Sequence, residues 1–529
     1  MSILPTSDAA ARESVPRVAR PVLLALALLG TCAAIVLAGG AATASQGRAP
    51  AAGAGKEGID WHRCGKRLQC AKVRVALNWD HPSGRKIKLA VIRHLASRPG
   101  ERIGSVFINP GGPGGSGVEA VRNGGAGLDT AFGGRFDIVS WDLRGSGRST
   151  KVSCFANGRK RARFWGRTPI PTTRAKSRRF LPKTIAFARR CGARNGRLLR
   201  HLSTADSARD LDYLRRLVGD RRLTFYGASA GTLLGQTYAN MFPGRVRAMV
   251  LDGVVDPVAW MRGTEATIAN LRSDSDLVFE KFKSLCQSAG PGRCALAGHG
   301  PVAKRVHRLL RRLRRRPLRT RNGTVTYGDA LAAITSALNS PTGWPQLAFA
   351  LNRAANGHGS KLASQGREGT HEFRSTEFEP TTAIICSDSP ARRAPHAWPA
   401  VTRRLTRDSR ITGPVYAWSL WAPCASWPAG AADRYTGPWN ASTREPILVM
   451  GNSFDPSTPY GNAVKVAGRL GNAVLLTLRG YGHLTSADPS TCIHRAIRRY
   501  VVDLVPPPRG LVCPADKRPF DPNFGAPVP

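Results

Sequence analysis

Leu223-Thr224-Phe225-Tyr226-Gly227-Ala228-Ser229-Ala230-Gly231-Thr232 is the stretch on which the reading of this chain turns. Residues 223–226 are apolar or β-favouring and read as a buried strand, while 232–240 follow a helical pattern. Between them lies a Gly-x-Ser-x-Gly turn. A sharp turn from strand to helix holds a serine hydroxyl out at the edge of a sheet, and small flanking residues are needed where the backbone is that crowded. The five-residue pattern alone occurs by chance, and Ser229 could simply cap the helix. Its setting between strand and helix favours a nucleophile.

Outward from this turn, short β-rich runs at 105–109, 136–141, 248–252, 446–450 and 473–478 alternate with helical patterns. The helix over 206–218 sets Ala208, Leu211, Leu214, Leu217 and Val218 on one side, and Ser203 stands three residues before Asp206 as a starting signal. Strands alternating with helices predict a mainly parallel sheet covered on both faces.

The loops after these strands carry the remaining chemistry. After 105–109 comes Asn109-Pro110-Gly111-Gly112-Pro113-Gly114-Gly115-Ser116-Gly117. Acyl transfer puts negative charge on a carbonyl oxygen, and amides already aimed at that point stabilise it. Gly112 N–H and Ala230 N–H are the expected donors of this oxyanion hole. A phosphate-cradling loop is the rival, but neither Gly-Lys-Ser/Thr nor a dinucleotide fingerprint is present. After 446–450 comes Gly451-Asn452-Ser453-Phe454-Asp455-Pro456, and after 473–478 comes Gly480-Tyr481-Gly482-His483. A serine at its free pKa is a poor nucleophile, so a histidine must take its proton and a carboxylate must hold that histidine's tautomer. The order Ser229, Asp455, His483 is that of the α/β-hydrolase fold. Asp252 and Asp256, after the strand at 248–252, are alternatives for the acid. Asp142 and Arg144 in Trp141-Asp142-Leu143-Arg144-Gly145-Ser146-Gly147-Arg148-Ser149 are expected to fix loops beneath the site.

Residues 1–44 read as a signal peptide: Arg12, Arg17 and Arg20 precede an apolar stretch that ends at Ala42-Thr43-Ala44. An uncleaved N-terminal membrane anchor is the alternative, and lipid attachment at Cys32 the weaker one. Residues 45–60 form a flexible lead-in, 61–260 the first part of the hydrolase core, 261–400 a helical cap inserted between sheet strands, and 401–529 the second part of the core. Residues 383–386 look strand-like. Without residues 1–44, ten cysteines remain: Cys64, Cys70, Cys154, Cys191, Cys286, Cys294, Cys386, Cys424, Cys492 and Cys513. An even number in an exported chain predicts disulfides; pairing of sequence neighbours is the simplest of the connectivities that remain open. No Cys-x-x-Cys occurs among them, which argues against zinc and redox motifs, and neither metal nor cofactor is expected.

Loss of residues 1–44 removes three arginines and two carboxylates, so the charge falls only from +45 to +44. Such a surface attracts anionic wall polymers or membranes without a dedicated site; specific nucleic-acid binding contradicts export. The densest basic run, Arg311 to Arg316 with Arg308, Arg319 and Arg321 around it, lies on an amphipathic helical pattern with Val302, Val306, Leu309 and Leu313 on one face.

Taken together, Asn-Pro-Gly-Gly-Pro-Gly-Gly-Ser-Gly at 109–117, Asp-Leu-Arg-Gly-Ser-Gly-Arg-Ser at 142–149, Gly-Ala-Ser-Ala-Gly-Thr at 227–232, Leu-Asp-Gly-Val-Val-Asp-Pro at 251–257, the pair Cys286/Cys294, Ala-Ile-Ile-Cys-Ser-Asp at 383–388, Asp-Pro-Ser-Thr-Pro at 455–459 and Gly-Tyr-Gly-His at 480–483 resemble the tripeptidyl-aminopeptidase-like branch of the α/β-hydrolases, which is similar to prolyl iminopeptidases. The resemblance implies a secreted serine exopeptidase that releases short peptides from free N-termini, with a cap over the site and no cofactor. Carboxylesterases of the same branch share every catalytic residue, and a non-catalytic wall-binding protein is the remaining class. Where the family often has Tyr after the nucleophile, this chain has Ala230. An aminopeptidase needs a carboxylate to meet the substrate's ammonium. The cap carries ten acidic side chains against twenty-one Lys and Arg. Glu377 and Glu379 are the candidates, with Glu265 next.

Overall fold

The computed structural model describes residues 58–524 apart from 321–322, 370–372, 374 and 408. The described residues belong to one compact unit; the expected signal peptide, Cys32 and most of the lead-in lie outside the described residues.

Ten strands build the central sheet: β1 (His62–Gly65), β2 (Leu68–Ala76), β3 (Lys86–His94), β4 (Gly104–Asn109), β5 (Phe136–Trp141), β6 (Leu223–Ala228), β7 (Val246–Asp252), β10 (Ile447–Phe454), β11 (Ala473–Tyr481) and β12 (Val512–Pro514), with a separate hairpin of β8 (Leu318–Thr320) and β9 (Gly323–Val325). Their spatial order is β1-β2-β3-β5-β4-β6-β7-β10-β11-β12. From β5 to β12 every pairing is parallel, while β1, β2 and β3 pair antiparallel with their neighbours. This is the doubly covered α/β-hydrolase sheet. Alternation divides each central strand between two cores: Phe107, Val139, Met249, Leu251 and Val449 pack on one face, and Val106, Ile138, Ala248, Val250 and Met450 on the other.

The six expected strands form within a few residues of their expected bounds. The antiparallel start of the sheet was not anticipated, although Val73 and Val75 alternate with exposed Lys72 and Arg74 in β2, the period of a half-buried strand. The helix Thr204–Leu217 opens as its sequence suggests, with Ser203 Oγ accepting Asp206 N–H. Beneath the sheet end, Arg144 is fully buried. Its Nε and Nη2 donate to Asp210 at 2.7 and 2.6 Å, and its Nη groups also reach the carbonyls of Ala76, Leu77 and His201. Asp142 accepts from Ser116 Oγ, Val118 N–H and Arg148 N–H, which ties the glycine-rich loop to the end of β5.

Between β7 and β10 the chain is helical apart from the β8–β9 hairpin, and helices continue past residue 400 to Ala422–Ser426. This region has its own core, to which the basic helix Val302–Arg315 contributes Val302, Val306, Leu309 and Leu313. The strand-like 383–386 is instead inside the helix Phe378–Asp388, every residue of which is buried. A helix buried all round shows no apolar stripe, so a short apolar run cannot be told from a strand by periodicity. The ten cysteines pair as sequence neighbours: Cys64–Cys70, Cys154–Cys191, Cys286–Cys294, Cys386–Cys424 and Cys492–Cys513. Five such bridges are consistent with an oxidising, extracytoplasmic setting.

Candidate active site

Ser229 lies between the last residue of β6 and the helix Ala230–Met241, with φ +54° and ψ −124°. That conformation is costly for a residue with a Cβ and persists only where its surroundings enforce it. Here Ser229 N–H donates to Asp252 C=O at 2.8 Å. The flanking glycines are demanded by close approach: a Cβ on Gly227 would stand 2.5 Å from Gly231 O, and one on Gly231 would stand 2.6 Å from Asn109 O. The turn is therefore clamped between β4 and β7.

The glycine-rich loop after β4 passes directly over this turn. A Cβ on Gly111 would meet Ala228 O at 2.4 Å and Ser229 Cβ at 2.9 Å. Gly111 N–H is taken by Asn109 Oδ1 at 3.0 Å. Among the described residues, neither Gly112 N–H nor Ala230 N–H has a hydrogen-bond partner. Two unpaired amides beside a strained serine can receive a developing oxyanion.

His483 follows β11, and its Nδ1 lies 3.0 Å from both carboxylate oxygens of Asp455. Asp455 is buried and accepts four further bonds: from Ser457 N–H, Thr458 N–H, Thr458 Oγ1 and Leu484 N–H. Burial alone would raise the Asp455 carboxyl, but the charge of His483 and the hydrogen bonds from His483 and Thr458 outweigh it and hold it below the ordinary carboxylate range. Burial alone would lower His483; the charge of Asp455, its hydrogen bond and the charge of Asp252 reverse that, so the imidazole lies above its ordinary value. A Cβ on Gly253 would stand 3.4 Å from His483 Cε1. The imidazole thus sits against the residue that follows Asp252, whose carbonyl holds the Ser229 turn.

The alternative acids are bound elsewhere. Asp252 accepts from Tyr226 Oη at 2.7 Å and Thr485 N–H at 2.8 Å, and its burial raises its carboxyl. Asp256 caps the helix Pro257–Arg262 and pairs with Arg469 at 2.7 Å. Neither is hydrogen-bonded to His483.

Of the three cap glutamates, Glu379 is buried and committed to Arg161 and to Cys154 N–H, so its charge is already neutralised. This corrects the expectation that it meets a substrate ammonium: the carboxylate holds its helix to the core. Glu265 accepts from Arg392 N–H at 3.2 Å. Glu377 is exposed and without a side-chain partner among the described residues; its carbonyl accepts Thr381 N–H, and Thr381 packs on Gly114 of the glycine-rich loop.

Sequence reasoning missed two contributors. Thr458 Oγ1 donates to Asp455 Oδ2 at 2.7 Å and also lies 3.3 Å from His483 Nδ1. Asn339, at the end of the cap helix Tyr327–Leu338, accepts His483 N–H on its carbonyl at 2.8 Å and Ser457 Oγ on its side chain. The cap therefore holds both loops at once. Thr458 stands within the quoted Asp-Pro-Ser-Thr-Pro motif and could have been found there, whereas no local signal marks Asn339. Among the described residues, no group of three or more His, Cys, Asp or Glu side chains is placed to hold a metal ion.

Residues 409–513, which span the Asp455 and His483 loops, match the family described as TAP-like protein. The chain is 31% identical over 467 residues to serine protease Hip1 of Mycobacterium tuberculosis, covering 84% of this chain and 87% of that one. It is 30% identical over 497 residues to tripeptidyl aminopeptidase of Streptomyces lividans, covering 88% of each. It is also 30% identical over 508 residues to carboxylesterase B of Mycobacterium tuberculosis, covering 91% of this chain and 95% of that one. Because the likeness runs through the core, the cap and the strand-end loops alike, this chain belongs to the tripeptidyl-aminopeptidase-like family of α/β-hydrolases and is a serine hydrolase.

Proposed function

We propose that the protein is an exported serine exopeptidase that releases tripeptides from free N-termini, with Ser229 as nucleophile, His483 as general base and Asp455 as the acid that orients it. The reading is carried by one observation: His483 Nδ1 is bound symmetrically by a buried carboxylate, which leaves Nε2 as the basic nitrogen. His483 takes the Ser229 proton as Oγ attacks the scissile carbonyl, and Gly112 N–H and Ala230 N–H receive the oxyanion. The histidine then returns the proton to the leaving amine, and water repeats the sequence to free the acyl-enzyme. Glu377 is the proposed counter-ion for the substrate's ammonium, since of the three candidates it alone has no side-chain partner among the described residues. The similarity to tripeptidyl aminopeptidase supports the tripeptide assignment. Removal of residues 1–44 would release the mature chain outside the membrane, where its charge would favour contact with anionic wall polymers.

The similarity to carboxylesterase B favours one second reading, ester hydrolysis through the same residues. A tripeptide anilide, its N-acetylated form and a short-chain ester separate the two. Strong preference for the free amine, weakened by Glu377→Gln, is expected; equal rates on free and acetylated anilides discard the exopeptidase. A serine-directed phosphonate should label Ser229 alone, and a Ser229→Ala variant that keeps full activity would remove the nucleophile assignment.

A further inference from the structure

The strand-end loops do not account for a cleft of about 350 Å³ in the cap side of the molecule, lined by residues at the start of the helix Arg174–Asn195, at the end of Val302–Arg315, and along Trp398–Leu405 and Gly413–Ser419. None of its lining residues belongs to the loops that carry Ser229, Asp455 or His483. Five arginines face it: Arg174, Arg314, Arg403, Arg407 and Arg410. Four threonines, Ser177 and Tyr327 supply hydroxyls, and among the described residues no Asp or Glu lines it.

Chance placement of arginine in a basic chain predicts such side chains to be scattered or paired. Several elsewhere are paired: Arg102 with Asp137, Arg209 with Asp433, Arg245 with Asp212 and Arg469 with Asp256. Around this cleft, among the described residues, none of the five guanidinium groups has a carboxylate within ion-pair distance. The five arginines are exposed at the rim of the cleft, and like charges gathered around one concavity repel one another and raise a positive potential in the space between them. A multiply charged anion relieves that repulsion. Arg314 is held in place by stacking over Tyr327, with its guanidinium carbon 5.7 Å from the ring centre, so one fork is already oriented. The cleft is within the size range of small-molecule sites and far larger than a single bound water.

We propose that this cleft binds a phosphate-bearing anion, either an oligophosphate or a phosphodiester group, through bidentate arginine contacts. The inference goes beyond non-specific attraction to polyanions, because it assigns the binding to one built cavity and to arginine forks rather than to net charge.

Calorimetric titration with tripolyphosphate at about 0.15 M salt tests it, since that ionic strength screens diffuse surface attraction. Three chains are compared: the wild type, the triple variant Arg403→Gln/Arg407→Gln/Arg410→Gln, and a charge-matched control, Arg308→Gln/Arg311→Gln/Arg312→Gln, on the exposed face of the neighbouring helix. The cleft variant should lose on the order of tenfold or more in affinity, and the control about twofold or less. The charge-preserving set Arg403→Lys/Arg407→Lys/Arg410→Lys should fall between, because lysine keeps the charge and loses the fork. Thermal melts establish that each variant is folded. Equal losses in the cleft and control variants, no loss in either, or citrate bound as tightly as tripolyphosphate would each overturn the proposal. Phosphatidylcholine vesicles with and without phosphatidylglycerol identify the source. Arginine-dependent capture of the anionic vesicles alone places the phosphate on a lipid; tripolyphosphate binding without vesicle capture places it on a soluble or polymeric phosphodiester.

Discussion

Asp252 and Asp455 stand at the ends of the neighbouring parallel strands β7 and β10, or just beyond, and both are buried to within about one per cent. Burial acts on both in the same direction, yet their carboxyls move oppositely: Asp252 lies above the ordinary carboxylate range and Asp455 below it. The difference is in the donors. Asp455 faces an imidazole that can carry a positive charge, together with four other donors. Asp252 faces a phenol and one amide, which cannot offset its loss of water. Position at a strand end does not make a carboxylate the acid of a triad; the groups turned towards it do.

The sharpest way to break this comparison is to neutralise each carboxylate in turn. Asp455→Asn should cost on the order of 10⁴ in turnover on a peptide anilide, because His483 is left in the wrong tautomer. Asp252→Asn should cost far less, since no hydrogen bond joins it to His483. If Asp252→Asn proves the more damaging in steady-state kinetics, the roles of the two strand ends are reversed.

Thr458→Val removes a hydrogen bond to the charged form of Asp455 while keeping the side chain's shape. A loss of about 1.5–3 kcal/mol is expected, with turnover falling roughly ten- to a hundredfold. The sign of its pH effect follows from the depressed carboxyl. Asp455 contributes stability that is fully present above its unfolded pKa and is lost as pH falls through its lower folded value. Removing the Thr458 bond raises that folded value towards the unfolded one, so the acid loss of melting temperature should be smaller in the variant and should level off at a higher pH than in the wild type. Melts that superimpose across the acid range would show that Thr458 does not act through the charge on Asp455.

Asn339→Ala tests the cap's hold on both loops. One neutral hydrogen bond to Ser457 is lost, worth about 0.5–1.5 kcal/mol, so a decrease in kcat of a few-fold to about tenfold is expected, with KM for a small ester nearly unchanged. A larger change in KM than in kcat would assign Asn339 to substrate contact instead.

The smallest expected effect is a shift in the pH profile. His483 acts as a base only when neutral, and its value is raised, so the acidic limb of kcat/KM should lie above pH 6.5. The charge of Asp252 contributes to that elevation, and Asp252→Asn should move the limb downward. An unmoved limb would mean that Asp252 carries no charge while His483 titrates.

The parallel core strands were legible because each is a short apolar run bounded by turn residues, and the loops that follow them carry unusual local signatures such as Gly-Ala-Ser-Ala-Gly. The antiparallel β1 to β3 were passed over although β2 carries the alternation of a half-buried strand. Residues 383–386 misled for a different reason: a helix enclosed on every side has no polar face to mark its period.

By itself the sequence determined the order of chemical groups along the chain: the glycine-rich loop, Ser229, Asp455 and His483, each in a turn whose residues say what the backbone must do there. Tertiary structure alone decided which carboxylate His483 faces, since Asp252 and Asp455 follow equally plausible strands and only packing turns Asp455 towards the ring. It also decided that Glu379 is spent on Arg161, that Asn339 reaches both the Asp455 and His483 loops from the cap, and that five arginines from three separate segments meet at one cleft. The physical reason is range. Turn chemistry acts over a few neighbouring residues, whereas the partner of a buried charge is set by contacts between segments far apart in sequence, from 28 residues for Asp455 and His483 to 218 for Arg161 and Glu379.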